Sequence, residues 1–133
     1  MLERSSNGVT VRFLDGSKAV GLLRARAAAL LSRDARVNRV LLFGSLAKGN
    51  YGARSDADLC VVLSEDPRPR WFDRIPDYLD AFLGCDIPVD VFIYTEAELD
   101  LMRRNGNALV RAIDRDAIVL GDRDRPALGA MSC

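Results

Sequence analysis

An α/β domain of the α+β kind, with strands and helices alternating along one chain, is the fold class this sequence predicts. Three observations predict it. The apolar runs Asn38–Phe43, Ala57–Leu63 and Pro88–Tyr94 have strand length and almost no polar interruption, which marks them as buried strands. Stretches with apolar residues at helical spacing, several opened by cap residues, stand before, between and after them. The chain of 133 residues is long enough to bury one core without disulfides or a structural metal, so a single domain is expected.

The elements follow in order. Val9 to Phe13 alternates Val, Thr, Val, Arg, Phe and reads as a short strand. Asp15-Gly16-Ser17 offers cap chemistry for a helix to about Arg33, with Leu22, Leu23, Ala25, Ala29 and Leu30 as its apolar stripe and Lys18, Arg24, Arg26 and Arg33 outward. The strands 38–43 and 57–63 come next, as neighbours. Ser64 to Arg70, polar and marked by two prolines, reads as a surface loop. Trp71 to Leu83 is expected to be a helix with Pro76 in its first turn, stopped by Gly84. After the strand 88–94, Thr95-Glu96-Ala97-Glu98 is a capping box that opens a helix toward Arg104. Asn105-Gly106-Asn107 breaks it, a helix runs from Ala108 to about Asp114, and Ala117–Leu120 is a last strand-like run. The domain core is expected over about residues 9–120, with 121–133 as a flexible tail.

Composition narrows the function. With 19 basic and 19 acidic residues the charges cancel, which leaves no overall field to hold nucleic acid. No window approaches the ~20 consecutive apolar residues of a membrane span, and the first residues lack the uninterrupted apolar core of a signal peptide. Cys60, Cys85 and Cys133 are scattered without paired spacing, which points to reduced thiols in the cytoplasm, and Cys60 in its apolar run is most simply a core residue. The absence of histidine excludes Ser-His and Cys-His nucleophilic systems and His-ligated zinc. Carboxylates, hydroxyls, backbone amides, Lys, Arg and an oxygen-preferring metal such as Mg²⁺ are what remains.

Those groups gather in the stretch Gly44 to Leu59, GSLAKGNYGARSDADL. Gly44 closes a buried strand and lets the backbone turn sharply, so that the following amides and the Ser45 hydroxyl can take phosphate oxygens. Alone, a Gly-Ser pair is more often an ordinary turn. Asp56 and Asp58 share one face at the start of the next strand and can converge on a divalent cation. The plainer alternative is a polar loop leading into a strand. It fits poorly with Asp58, which abuts the apolar run, where a carboxylate pair is costly without a cation. Asp90, flanked by Val89 and Val91, adds a third carboxylate, its plainer alternative being a strand-end residue that faces solvent, and three from two strands can hold two Mg²⁺ ions ~3.5–4 Å apart.

Gly44-Ser45, ten residues, Asp56-Ala57-Asp58 and a later strand carrying Asp90 in VDVFIYTEAEL resemble the signature of the nucleotidyltransferase superfamily that includes DNA polymerase β and kanamycin nucleotidyltransferase. The segment Leu46-Ala47-Lys48-Gly49 is similar to the family's usual filler, and the likeness spans about residues 37–120, closest to minimal single-domain members. The resemblance implies a small mixed β-sheet flanked by helices, with the site at one end of the central strands. It implies that Asp56 and Asp58 bind the metal escorting the β- and γ-phosphates of a nucleoside triphosphate, and that Gly44 and Ser45 hold those phosphates. Asp90 would share the second metal and draw the proton from an acceptor hydroxyl. Lys48 and Arg54 would be phosphate-binding cations, or else solvated surface charges. Single-domain relatives are typically paired with a small helical HEPN-type protein, often as antitoxin and toxin. The expected function is therefore transfer of AMP from ATP, with Mg²⁺, to a hydroxyl of such a partner. A non-catalytic binding module of the same fold is one alternative. A small-molecule, aminoglycoside-like nucleotidyltransferase completed by homo-oligomerisation is another, with Trp71, Phe72, Tyr78 and Phe82 as contact surface or, as helical spacing favours, core.

Overall fold

The computed structural model describes residues 2–6, 9–13, 16–44, 47, 57–84 and 87–124. A four-stranded mixed sheet is the centre of the molecule. Its strands β3 (Val37–Phe43), β4 (Ala57–Leu63), β5 (Val89–Thr95) and β6 (Ile118–Asp122) lie in the order β5-β4-β3-β6. β4 runs parallel to β5, and β3 runs antiparallel to both β4 and β6. The first two strands, β1 (Leu2–Ser6) and β2 (Val9–Phe13), form a separate antiparallel pair with Leu2 opposite Phe13 and Ser6 opposite Val9. Among the described residues there are four helices, α1 (Gly16–Arg33), α2 (Ile75–Leu79), α3 (Glu96–Arg104) and α4 (Ala108–Asp116). None of the described helices is long and apolar enough to cross a membrane.

The sheet buries both faces, which is why its strands read as unbroken apolar runs. On one face α1 packs through Leu23, Ala27 and Leu30, with Ala19 buried on the same line, against Leu42, Leu59, Val61 and Ile93, with Tyr78 and Phe82 beside them. Leu23 and Leu30 thus hold the stripe expected of them and Leu22 is half-buried, but Ala25 and Ala29 are exposed. Helical rotation puts those two alanines on the far side from the 19–23–27–30 line. The outward basic residues Lys18, Arg24, Arg26 and Arg33 are exposed as read. Asp15, the expected cap, lies outside the described residues. On the other face α3 and α4 contribute Leu99, Val110 and Ile113 against Leu41, Cys60, Val62 and Tyr94. Cys60 is a core residue, and burial pushes its thiol up to about 12.

Local chemistry explains the element ends. Thr95 Oγ1 accepts from the Glu98 amide at 3.2 Å while Glu98 Oε1 accepts from the Thr95 amide at 2.8 Å, which is the expected capping box. Asn107 caps α4, its Oδ1 accepting from Leu109 and Val110 at 2.8 and 3.2 Å. The segment 71–83 is not the one helix expected. Pro76 has no N–H to bond the Phe72 carbonyl, so Trp71–Arg74 closes as a 3-10 turn with the Ile75 amide bonded to Phe72 O. Pro76 then occupies the first turn of α2, a second 3-10 turn covers Asp80–Phe82, and Gly84 ends the segment at φ 80°. Tyr78 and Phe82 are core, Trp71 is half-buried on the opposite face, and Phe72 is 49% exposed.

Two further expectations change. β6 extends through Gly121 and Asp122, so the chain is still in the sheet where a tail was expected to begin; residues 125–133 of that tail lie outside the described residues. The loop before Trp71 is not purely a surface feature. The Asp66 side chain is buried and held by Arg68, whose Nε and Nη2 donate to it at 2.9 and 2.7 Å, with Arg74 Nε 3.7 Å away. Arg74, 1% exposed, donates through Nη1 to Glu98 Oε1 (2.6 Å) and Ile93 O (3.2 Å), and through Nη2 to Glu98 Oε2 (3.0 Å) and the Arg68 carbonyl. A buried guanidinium requires such a set of acceptors, and the loop folds inward to supply them.

Candidate active site

Three strand ends meet at one corner of the sheet. β3 finishes at Phe43, β4 opens with Ala57-Asp58, and β5 opens with Val89-Asp90. Phe43 pairs with Asp58 across the antiparallel ladder, and Asp58 pairs with Asp90 across the parallel one. Paired residues of adjacent strands project to the same face, so Phe43, Asp58 and Asp90 form a row. The period of two assigns that face: Asp58 shares it with Cys60 and Val62, and Asp90 with Phe92 and Tyr94. This is the side covered by α3 and α4. Asp58 is half-buried and Asp90 is exposed, so the carboxylate end of the face is open to a ligand.

Gly44 turns the chain away from the row with φ +78°, a conformation that side chains disfavour. A Cβ added there would overlap Asp58 Oδ2 and lie 3.2 Å from Asp58 Cγ. The glycine is therefore demanded twice, by backbone conformation and by the carboxylate lying against its Cα. This close approach ties the first element of the motif to its last. Backbone strands about 4.8 Å apart set Asp58 and Asp90 side by side on that face.

Of the residues singled out in the sequence, Gly44, Asp58 and Asp90 are thus brought together. Ser45, Lys48, Arg54 and Asp56 lie outside the described residues, and within the filler only Ala47 is described, packed against the α1-side core. Among the described residues no group of three or more His, Cys, Asp or Glu side chains could hold a metal ion. Phe43 and Phe92, the aromatic neighbours of the row, escaped the sequence reading, whereas Trp71 was read as contact surface or core. Phe43 stacks toward Phe92 at 5.6 Å between ring centroids, and Phe92 toward Trp71 at 5.3 Å. The signal was present in Phe92, two residues beyond Asp90 in a strand of period two.

The sequence model of the family described as Polymerase beta, Nucleotidyltransferase matches residues 26–117, and the chain belongs to this family. Its class is thereby that of the nucleotidyltransferases. A presumed nucleotidyltransferase from Sulfolobus solfataricus is similar in fold, with a TM-score of 0.63 and 22% identity over 85% of this chain and 88% of that one. A toxin–antitoxin structure with AMP-PNP matches at a TM-score of 0.46 and 17% identity, over 90% of this chain and 79% of that one. No curated protein matches the chain.

Proposed function

We propose that this protein transfers AMP from ATP, with Mg²⁺, to a hydroxyl of a protein partner, and that the partner is a small helical HEPN-type protein for which this chain is the antitoxin. The observation that carries the catalytic part is the register of Asp58 with Asp90 beside a Gly44 whose Cα lies against the Asp58 carboxylate. The family supports nucleotidyl transfer, and the protein acceptor is what the motif's resemblance to minimal single-domain members implies.

The donor set is oxygen-only, which fits Mg²⁺, and Asp56, Asp58 and Asp90 would hold it. When bound, Mg²⁺ neutralises triphosphate charge and stabilises the charge that develops at the α-phosphate. Gly44 and Ser45 bind phosphate oxygens through backbone amides and a hydroxyl, and Lys48 and Arg54 add positive charge. Asp90, at the open end of the row, takes the proton from the acceptor hydroxyl. That oxygen attacks the α-phosphate, the bond to the β-phosphate breaks, and pyrophosphate leaves.

The test is incubation with α-labelled ATP, Mg²⁺ and the helical protein of the adjacent gene. A labelled partner band is expected, reduced at least about 100-fold in Asp58→Asn and in Asp90→Asn. Full labelling in both variants would remove the carboxylate row from the chemistry. No label with a co-purifying partner would make the chain a binding module.

A further inference from the structure

The carboxylate row continues into planar side chains. Along β5, Phe92 follows Asp90 on the same face, about 7 Å on. Trp71 lies over Phe92 at 5.3 Å with 30° between the planes. Phe72 meets Trp71 edge-to-face at 5.8 Å, and the Arg70 guanidinium sits 5.2 Å from the centre of the Phe72 ring. Burial decreases along this series: Trp71 is half-buried, while Phe72 is 49% exposed and Arg70 is exposed. Core packing accounts for Phe92 and for the inner side of Trp71. It leaves Phe72 half outside, with the Arg70 guanidinium over its ring and Arg70 Nε donating to Asp73 Oδ2 at 2.9 Å.

We infer that Arg70, Phe72 and Trp71 form a stacking platform for the base of the donor nucleotide, beside the carboxylates that serve its phosphates. The inference rests on the nucleotide reading given above. Bases stack on aromatic rings and on guanidinium planes alike, and the Arg70 guanidinium is held beside Phe72 by its ion pair with Asp73. The platform presents flat faces rather than an amide or carboxylate to a base edge. It therefore selects by ring area, favouring purines over pyrimidines with little distinction between adenine and guanine. Arg74 positions it: its bonds to Ile93 O, Glu98 and the Arg68 carbonyl fix the turn that carries Trp71 and Phe72 against β5.

Trp71 is the only tryptophan of the chain and reports on its own surroundings. With Mg²⁺ present, a non-hydrolysable ATP analogue, its GTP, CTP and UTP counterparts, and inorganic triphosphate are titrated against the full chain while tryptophan emission and calorimetric binding are followed. The expected result is quenching by the purine analogues, weaker quenching by the pyrimidines and none by triphosphate. Phe72→Ala, an exposed change that leaves the melting temperature unaltered, weakens the ATP analogue about 5- to 100-fold and triphosphate not at all. Equal binding of analogue and triphosphate, in wild type and variant, overturns the platform while leaving the phosphate site standing. Quenching by the analogue without any triphosphate binding retains the platform and removes the phosphate reading. If nothing binds, both fall. Phe72→Ala that binds the analogue normally but loses transfer to the acceptor assigns these rings to the acceptor and overturns the inference.

Discussion

Gly44 is where backbone conformation and chemistry depend on one another most directly. Its φ of +78° is one that alanine adopts only with strain, and the place of an alanine Cβ is taken by the Asp58 carboxylate. Gly44→Ala is expected to lower stability by about 1–3 kcal/mol in urea unfolding, and to reduce AMP transfer far more than that loss explains, because the carboxylate must move. Wild-type transfer in a folded Gly44→Ala protein would show that the position of Asp58 against Gly44 is unimportant. The same residue was legible in the sequence as a strand-ending turn able to approach phosphates, but not as a neighbour of Asp58. Its contact with Asp58, fourteen positions later, depends on how β3 and β4 pair.

At the scale of elements, the turn carrying Trp71 and Phe72, the Ser64–Arg70 loop and the start of α3 are joined through one buried guanidinium. Removing it in Arg74→Met leaves Glu98 and the carbonyls of Ile93 and Arg68 with fewer donors, and takes a cation from beside the Asp66 carboxylate. The expected cost is about 3 kcal/mol in chemical unfolding. The pH dependence has a definite sign. Arg68 holds the Asp66 carboxyl well below the usual carboxylate range against the opposing effect of burial. Burial pushes Glu98 up, but Arg74 and the Thr95 amide outweigh it and its carboxyl is lowered. Both groups therefore bind fewer protons folded than unfolded near their ordinary values of 3.8 and 4.5. Their stabilisation is complete above about pH 4.5 and is lost as the pH falls through the folded values. Arg74→Met is expected to flatten the part of this acid limb that Glu98 supplies, read from unfolding free energies between about pH 3 and 6. An unchanged limb would show that Glu98 owes its shift to the capping box alone. The capping box itself was legible, because both partners sit within four residues; the buried Arg74 was not, because its acceptors come from 68, 93 and 98.

The whole molecule is closed by β6, the last described strand, at the free side of β3. Arg123, just beyond it, donates through Nη2 to the carbonyls of Leu31, Asp34 and Val37 at 2.7, 2.9 and 2.8 Å, joining the residue after β6 to the α1–β3 connection. Arg123→Met is expected to cost about 1–2 kcal/mol and to loosen β6 first, visible as faster amide exchange at Leu120 and Gly121. Exchange unchanged at those amides would mean that β6 is held by its ladder alone. The sequence by itself determined the strands at 57–63 and near 38–43 and 88–94, the ends of α1 and α3, and the Gly-Ser and Asp-x-Asp spacing. Each of these is encoded by residues within a turn or a strand of one another. β1 escaped because Leu-Glu-Arg-Ser-Ser has no apolar alternation, although Asn7-Gly8 before Val9 is a hairpin signal in the sequence. The break at Pro76 was read as a position in one helix because an apolar period continues across it. Only the tertiary structure decided that Asp58 stands beside Asp90, that Asp66 turns inward to Arg74, and that an aromatic series leads away from the carboxylates. Strand order and register bring together residues tens of positions apart, and no local period carries that information.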